Sequence, residues 1–290
     1  MTGLTQVRRL ARRIDAATPA HRDRAVDALR ALAIAGVIGG HWLVTALVAG
    51  ASTGSSHGGT VLRDDSPLAS MPWLTPLSWV FQTLAVFFLV GGYSAARGYR
   101  GGYLPWLRKR MVRLARPVAA LAAGWLVPYL LGIAWALGSL RGRRGPALML
   151  VGGVAATAAL ITWAGYPASM VGVNGSHISN LNPPTLAVVT FGIAQCGLAL
   201  LLRDPLARLM RRPLAWAGIA LVNLSAMTLF LWHQTAFLTV SSLGLLAGRV
   251  PGLLTDPSHG LWVAERLAWL PVFAITLSGL WLVFRRVERG

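Results

Sequence analysis

Residues 24–50 read RAVDALRALAIAGVIGGHWLVTALVAG, and their reading decides the fold. From Leu29 onward the stretch is apolar apart from Arg30, His41 and Thr45, over about the 20 residues of helix that cross a bilayer's hydrocarbon core. Apolar runs recur at about 73 to 96, 117 to 138, 146 to 167, 184 to 202, 214 to 247 and 261 to 284, which makes seven with the first. The sixth is about 34 residues long and reads either as one long tilted helix or as an interfacial piece followed by a span. Composition agrees: 55% of the 290 residues are hydrophobic and 12% are charged, against about a quarter charged in a soluble domain. The expected fold is all-α, a polytopic transmembrane helical bundle with about 7–8 membrane passes. A basic arm over 1–27 precedes a membrane domain over 28–290.

The charge is lopsided, with Lys+Arg 27 against Asp+Glu 9. Its cations sit in short clusters between apolar runs, which is the pattern of the positive-inside rule and not of a nucleic-acid surface, so nucleic acid is not an expected partner. The first apolar run starts behind an arginine-rich arm carrying Arg8, Arg9, Arg12, Arg13, Arg22, Arg24 and Arg30, too late and too long for a signal peptide. That arm is expected in the cytoplasm against anionic membrane lipid. An inside amino terminus puts the loop 51–72 outside and returns the loop 97–116, with seven Lys or Arg, to the inside. Simple alternation then sends Arg141, Arg143 and Arg144 outside, while the basic loop around Arg203–Arg212 and the tail with Arg285, Arg286 and Arg289 also belong inside. The conflict disappears if the passage between Arg116 and Arg141 crosses an even number of times or not at all, and Pro128 could break it into a re-entrant pair. Both termini are then cytoplasmic, in the inner membrane. One cysteine, Cys196, and six scattered histidines leave no metal-ligand set, so no metal is expected.

Arg30 and His41 are eleven positions apart, hence on one helix face and about 16 Å apart along the axis. An ionisable side chain beyond mid-depth is costly unless it faces a cavity, which makes His41 a catalytic candidate; the plain alternative is a neutral histidine bonded to a neighbouring helix. Arg24, Asp27 and Arg30, three apart in turn, could form a charged chain that orients Arg30. His233 either faces the same cavity or sits beside Trp232 at the headgroup boundary. Glu265 and Arg266 open the last run and are expected to snorkel. Gly91 and Gly92 suit close helix packing. Asn180 and Asn182 before Pro183 suggest a helix start with an asparagine cap. Asn174-Gly175-Ser176 matches a glycosylation triplet.

The arginine and histidine of the first run, FFLVGGY at 87–93, RMVRLARP at 110–117, NLNPP at 180–184 and MTLFLWH at 227–233 together resemble the acyltransferase-3 family of bacterial membrane O-acyltransferases, in an actinobacterial type. The resemblance runs over about 22–117 and 146–285. Relatives carry a central aromatic-rich helix with no counterpart between Gly138 and Arg141, where the charge pattern also fails, so the resemblance implies an internal shortening of about three helices. It implies transfer of an acyl group, most often acetyl, from cytoplasmic acyl-CoA to a hydroxyl of an envelope carbohydrate or lipid-linked glycan. His41 would be catalytic, and Arg30, Arg110 and Arg113 would bind the donor, with Asp27 and His233 as secondary candidates. A histidine can take a hydroxyl proton at neutral pH or relay the acyl group, and arginine forks suit phosphate. The competing reading is a non-catalytic membrane protein, either a degenerate homologue or a carrier of acyl or glycan groups.

Overall fold

The structure, a computed structural model, describes residues 3–51, 60–98, 119–173 and 179–284. It is a helical membrane bundle with a single two-stranded ribbon among the described residues. Six described helical stretches are long and apolar enough to cross a membrane: Arg24–Val44, Pro72–Arg97, Arg144–Trp163, Leu186–Leu209, Ala226–Ala247 and Gly260–Phe284. Two shorter apolar helices, Gly124–Ala136 and Pro213–Leu224, complete the set. The expected seven runs thus become six full-length spans and two short helices. The long sixth run is not one tilted helix, because it breaks at Ser225 into Pro213–Leu224 and Ala226–Gly244. The first run also ends early: its helix stops at Val44, and the β-branched and small residues beyond it enter a strand.

The chain divides into two compact units. The first comprises Met1–Ile34, Gln82–Met170 and Ile178–Leu224. Its centre is a set of helices whose backbones touch through glycine. A Cβ on Gly92 would lie 2.0 Å from the Tyr129 carbonyl oxygen, and one on Gly132 would lie 2.0 Å from that of Leu89. Phe88 stacks on Trp125 and Tyr93 lies against Trp135, so the paired positions rise together along Leu84–Arg97 and Ala119–Ala136. These consecutive helices are therefore parallel. Leu186–Leu209 runs the same way beside them, with Gly192 against Ala85 and Pro128. Arg144–Trp163 packs antiparallel to it, Gly153 against Thr190 and Gly197 against Pro146.

The parallel pair explains the charge conflict. Because the two helices are parallel, the ends at Arg97 and Ala136 fall at the same end of this unit, so one reversal per apolar run is the wrong count. Pro128 does not create a re-entrant break: the Ala119–Ala136 helix continues through it, as membrane helices allow when neighbours compensate. Arg97, Arg141, Arg143 and Arg203 consequently line a single cavity at one end of this unit. Of the glycine pair expected to pack closely, only Gly92 does; a Cβ on Gly91 would meet nothing within 4 Å. The Asn180 side chain does not cap a helix. Its amide donates to the Pro167 and Ser169 carbonyls and its oxygen accepts from Thr185, while the following helix starts after Thr185.

The second unit comprises Ala35–Phe81, Val171–His177 and Ser225–Gly290. Strands β1 (Ala46–Ala51) and β2 (Thr60–Asp65) pair antiparallel from Ala46↔Asp65 to Ala51↔Thr60, inside what reads in sequence as a span end and an irregular loop. Ala46, Leu68, Met71, Leu74 and Trp262 form a buried cluster in this unit. Ala226–Gly244 lies antiparallel to Gly260–Phe284, with Trp232 stacked on Phe284 and Phe237 edge-on to Phe273.

Gly132→Val forces a side chain into a backbone contact, and we expect it to cost about 1–3 kcal/mol or more, read as a lowered melting temperature of the purified full chain in detergent. Gly91→Ala, into open space, is expected to leave melting unchanged or slightly raised.

Candidate active site

The second half of the Arg24–Val44 helix carries His41, and the middle of Ala226–Gly244 carries His233. Their rings meet: His41 Nδ1 lies 2.8 Å from His233 Nε2, with planes 19° apart. On its other side His233 Nδ1 lies 2.7 Å from the Phe230 carbonyl oxygen. A carbonyl can only accept, so His233 Nδ1 bears a hydrogen, and in the neutral ring its Nε2 is then an acceptor. The hydrogen between the rings therefore belongs to His41 Nδ1, which donates to His233 Nε2. This fixes His41 as the tautomer whose Nε2 holds a bare lone pair. Among the described residues that nitrogen has no partner, and His41 is exposed whereas His233 is buried at 4% exposure. The pair thus presents one basic nitrogen, oriented from behind, in the relation of a general base to its orienting group.

His233 is held through its backbone as well, since Trp42 Nε1 donates to the His233 carbonyl at 3.0 Å. Trp42 is in turn tied to Arg266. That guanidinium donates from Nε to the Trp42 carbonyl at 2.8 Å, from Nη1 to the Gly252 carbonyl at 3.1 Å, and from Nη2 to the Thr45 carbonyl. The rings of Phe237, Trp262 and Phe273 surround it at 4.9, 5.2 and 5.3 Å. Arg266 is 0% exposed. The expectation that it snorkels is overturned, because carbonyls freed where the Arg24–Val44 helix gives way to β1 supply acceptors at depth. Gly252 carries positive φ, and a Cβ there would lie 2.7 Å from the Arg266 backbone nitrogen, so only glycine lets that loop approach.

The first unit holds a separate polar cluster. Arg30 Nη2 donates to Ser94 Oγ at 3.0 Å and its Nη1 lies 3.5 Å from Asp27. Asp27 pairs with Arg22 at 2.6 Å and not with Arg24, which turns to Asp15, so only half of the expected charged chain forms. Arg22, Arg30, Arg97, Tyr93 and Ser94 contribute to the lining of a cavity of about 430 Å³. Tyr93 and Arg97 also line the neighbouring cavity of about 350 Å³, with Arg141, Arg143, Arg203 and Asp204. Asp23, on the lining of the first cavity, accepts from both Tyr93 and Arg203, at 3.2 and 3.1 Å. Arg110 and Arg113 lie outside the described residues, as does the triplet at 174–176.

Sequence reading singled out His41, Arg30 and Asp27 as candidates and left His233 between two meanings. It missed Arg266, Tyr93, Asp23, Arg203 and the contribution of Arg141 and Arg143. The available signal for Arg266 was an arginine at the sixth position of an apolar run, beside Glu265 and too near the start of the run to stand out. No group of three or more potential metal ligands occurs among the described residues.

Fold and site together define a multi-pass helical membrane protein with a histidine pair in one unit and arginine-lined cavities in the other. Residues 23–127 match the family model for the acyltransferase-3 domain, an acyltransferase domain. The segment contains Asp27, Arg30 and His41, whereas His233 and Arg266 lie beyond it. No curated protein and no solved structure matches the chain.

The tautomer assignment has a direct check. In full-length protein labelled with ¹⁵N-histidine in lipid, solid-state NMR above pH 8 should show both His41 and His233 protonated at Nδ1 and bare at Nε2. A His41 ring carrying its hydrogen on Nε2 would contradict the pairing.

Proposed function

We propose that this membrane acyltransferase moves an acyl group, acetyl in the first instance, from acyl-CoA to a hydroxyl of an envelope carbohydrate or lipid-linked glycan. The observation that carries the reading is the fixed lone pair on His41 Nε2, backed by His233. In the transfer, His41 Nε2 takes the acceptor's hydroxyl proton as its oxygen bonds to the thioester carbonyl carbon. The carbon–sulfur bond then breaks, and the departing thiolate takes the proton from His41. While His41 is protonated, its Nδ1–H remains bonded to His233 Nε2, and the charge can spread onto His233, whose Nδ1–H faces the Phe230 carbonyl. His233 is thus a positioning residue that also shares the proton.

The arginine-lined cavities of the first unit support a phosphate-bearing donor. Arg97, Arg141 and Arg143 have no carboxylate partner among the described residues, so their forks are available to phosphate oxygens. Arg30, oriented by Asp27 and Ser94, belongs to the adjoining cavity; Arg110 and Arg113 are proposed to join the donor site from the family pattern. The gathering of Arg97, Arg141, Arg143 and Arg203 at one end of this unit supports a cytoplasmic placement of that end in the inner membrane, and with it cytoplasmic termini. Membrane lipid surrounds the spans in this reading, and no metal takes part.

The test is transfer of radiolabelled acetyl from acetyl-CoA to a cell-envelope extract by membranes containing the chain. Label incorporated by the parent and lost by about 10²–10⁴-fold in His41→Ala is expected, and no transfer by folded parent protein would contradict the proposal. His233→Asn should lower kcat with little change in KM for acetyl-CoA. Arg141→Gln with Arg143→Gln should do the reverse, raising that KM roughly tenfold, which corresponds to losing about 1.4 kcal/mol of charge-assisted binding.

A further inference from the structure

Among the described residues, Arg266 is the one cation of the second unit at 0% exposure, and the mechanism just described gives it no step. An unpaired charge inside an apolar span is costly enough that it normally marks function. Here the guanidinium has no carboxylate partner among the described residues; its charge is met by three backbone carbonyls and three aromatic faces. Those carbonyls come from places that must be held in register. Trp42 is the immediate neighbour of His41, Thr45 lies between the helix end and β1, and Gly252 belongs to the loop that precedes the Gly260–Phe284 helix. Planarity lets one guanidinium hold all three at once, which a lysine ammonium on a flexible stem does not reproduce.

A path of contacts leads from this fork to the histidines. Arg266 fixes the Trp42 carbonyl, the Trp42 indole donates to the His233 carbonyl, and His233 accepts from His41. Trp42 also lies against Phe273, one of the rings around Arg266. The two histidines come from separate helices, and a 2.8 Å contact between their rings survives only if both helices keep their rotation and height.

We infer that Arg266 is a positioning residue for acyl transfer: its guanidinium, through Trp42, sets the His41–His233 contact and so the tautomer that leaves His41 Nε2 free. The inference rests on the acyl-transfer reading for its kinetic consequence, but its structural consequence can be read without activity.

The experiment uses the full chain, ¹⁵N-histidine labelled in lipid, as parent, Arg266→Lys, Arg266→Met and Trp42→Phe, each checked for helical content and a single gel-filtration species. In the folded Arg266 variants the His41 Nδ1 and His233 Nε2 signals should lose the signature of their mutual bond, with His41 becoming a mixture of tautomers. In acetyl transfer kcat should fall by about ten- to a hundredfold while KM for acetyl-CoA stays within about twofold, and Trp42→Phe should reproduce part of both effects. Unchanged histidine signals in folded Arg266→Met overturn the inference. Should that variant not fold, Arg266→Lys decides by the same signals, because it keeps the charge and loses the fork. Altered signals in protein whose parent shows no transfer would sustain the positioning role and reject the acyltransferase reading instead.

Discussion

A guanidinium sealed among apolar side chains must find acceptors for its hydrogens or leave the interior. Arg266 satisfies this with the carbonyls of Trp42, Thr45 and Gly252. The consequence is architectural: the end of the Arg24–Val44 helix, the start of the ribbon and the loop before the last helix are fastened to one side chain. The carbonyls of Trp42 and Thr45 lie at the point where the helix ends and backbone acceptors are set free, so the cation and the helix end solve each other's problem. The His41–His233 contact depends on that arrangement, since its two rings ride on separate helices of the same unit.

The first unit is governed by backbone approach. Gly92, Gly132, Gly153 and Gly197 each occupy places where a Cβ would lie 2.0–2.6 Å from a neighbouring carbonyl oxygen. Membrane helices have little hydrophobic drive toward each other, so such close packing supplies dispersion that bulkier residues would block. The same packing makes Leu84–Arg97 and Ala119–Ala136 parallel and gathers arginines from separate segments of the chain around adjoining cavities. Charges kept at one end by topology become, through that convergence, a binding-site candidate. Asp23, Asp27 and Ser94 hold some of those guanidinium groups in place, leaving Arg97, Arg141 and Arg143 without a carboxylate among the described residues.

Much of this was legible in the residues. Apolar runs marked the helices, and the depth of His41 marked it as a candidate, because both follow from local composition and helix periodicity. The split of the sixth run was one of two readings, but its place at Ser225 and the strand after Val44 were not legible, since a short apolar run looks alike as helix or strand and long-range pairing decides. Arg266 read as an interfacial residue because its position in the run was visible and its acceptors, drawn from distant backbone, were not. The loop containing Arg141 read as misplaced because the count assumed antiparallel neighbours. His233 hung between two readings until His41 was seen across from it, a contact spanning most of the chain's length.

Acyl transfer by this route requires the two histidines to act as one unit. A double-mutant cycle in acetyl transfer measures this, comparing His41→Ala, His233→Ala and the double variant with the parent. If His233 works only by orienting His41 and sharing its proton, the double variant should be no slower than His41→Ala alone. Losses that multiply, each histidine contributing independently of the other, would contradict it.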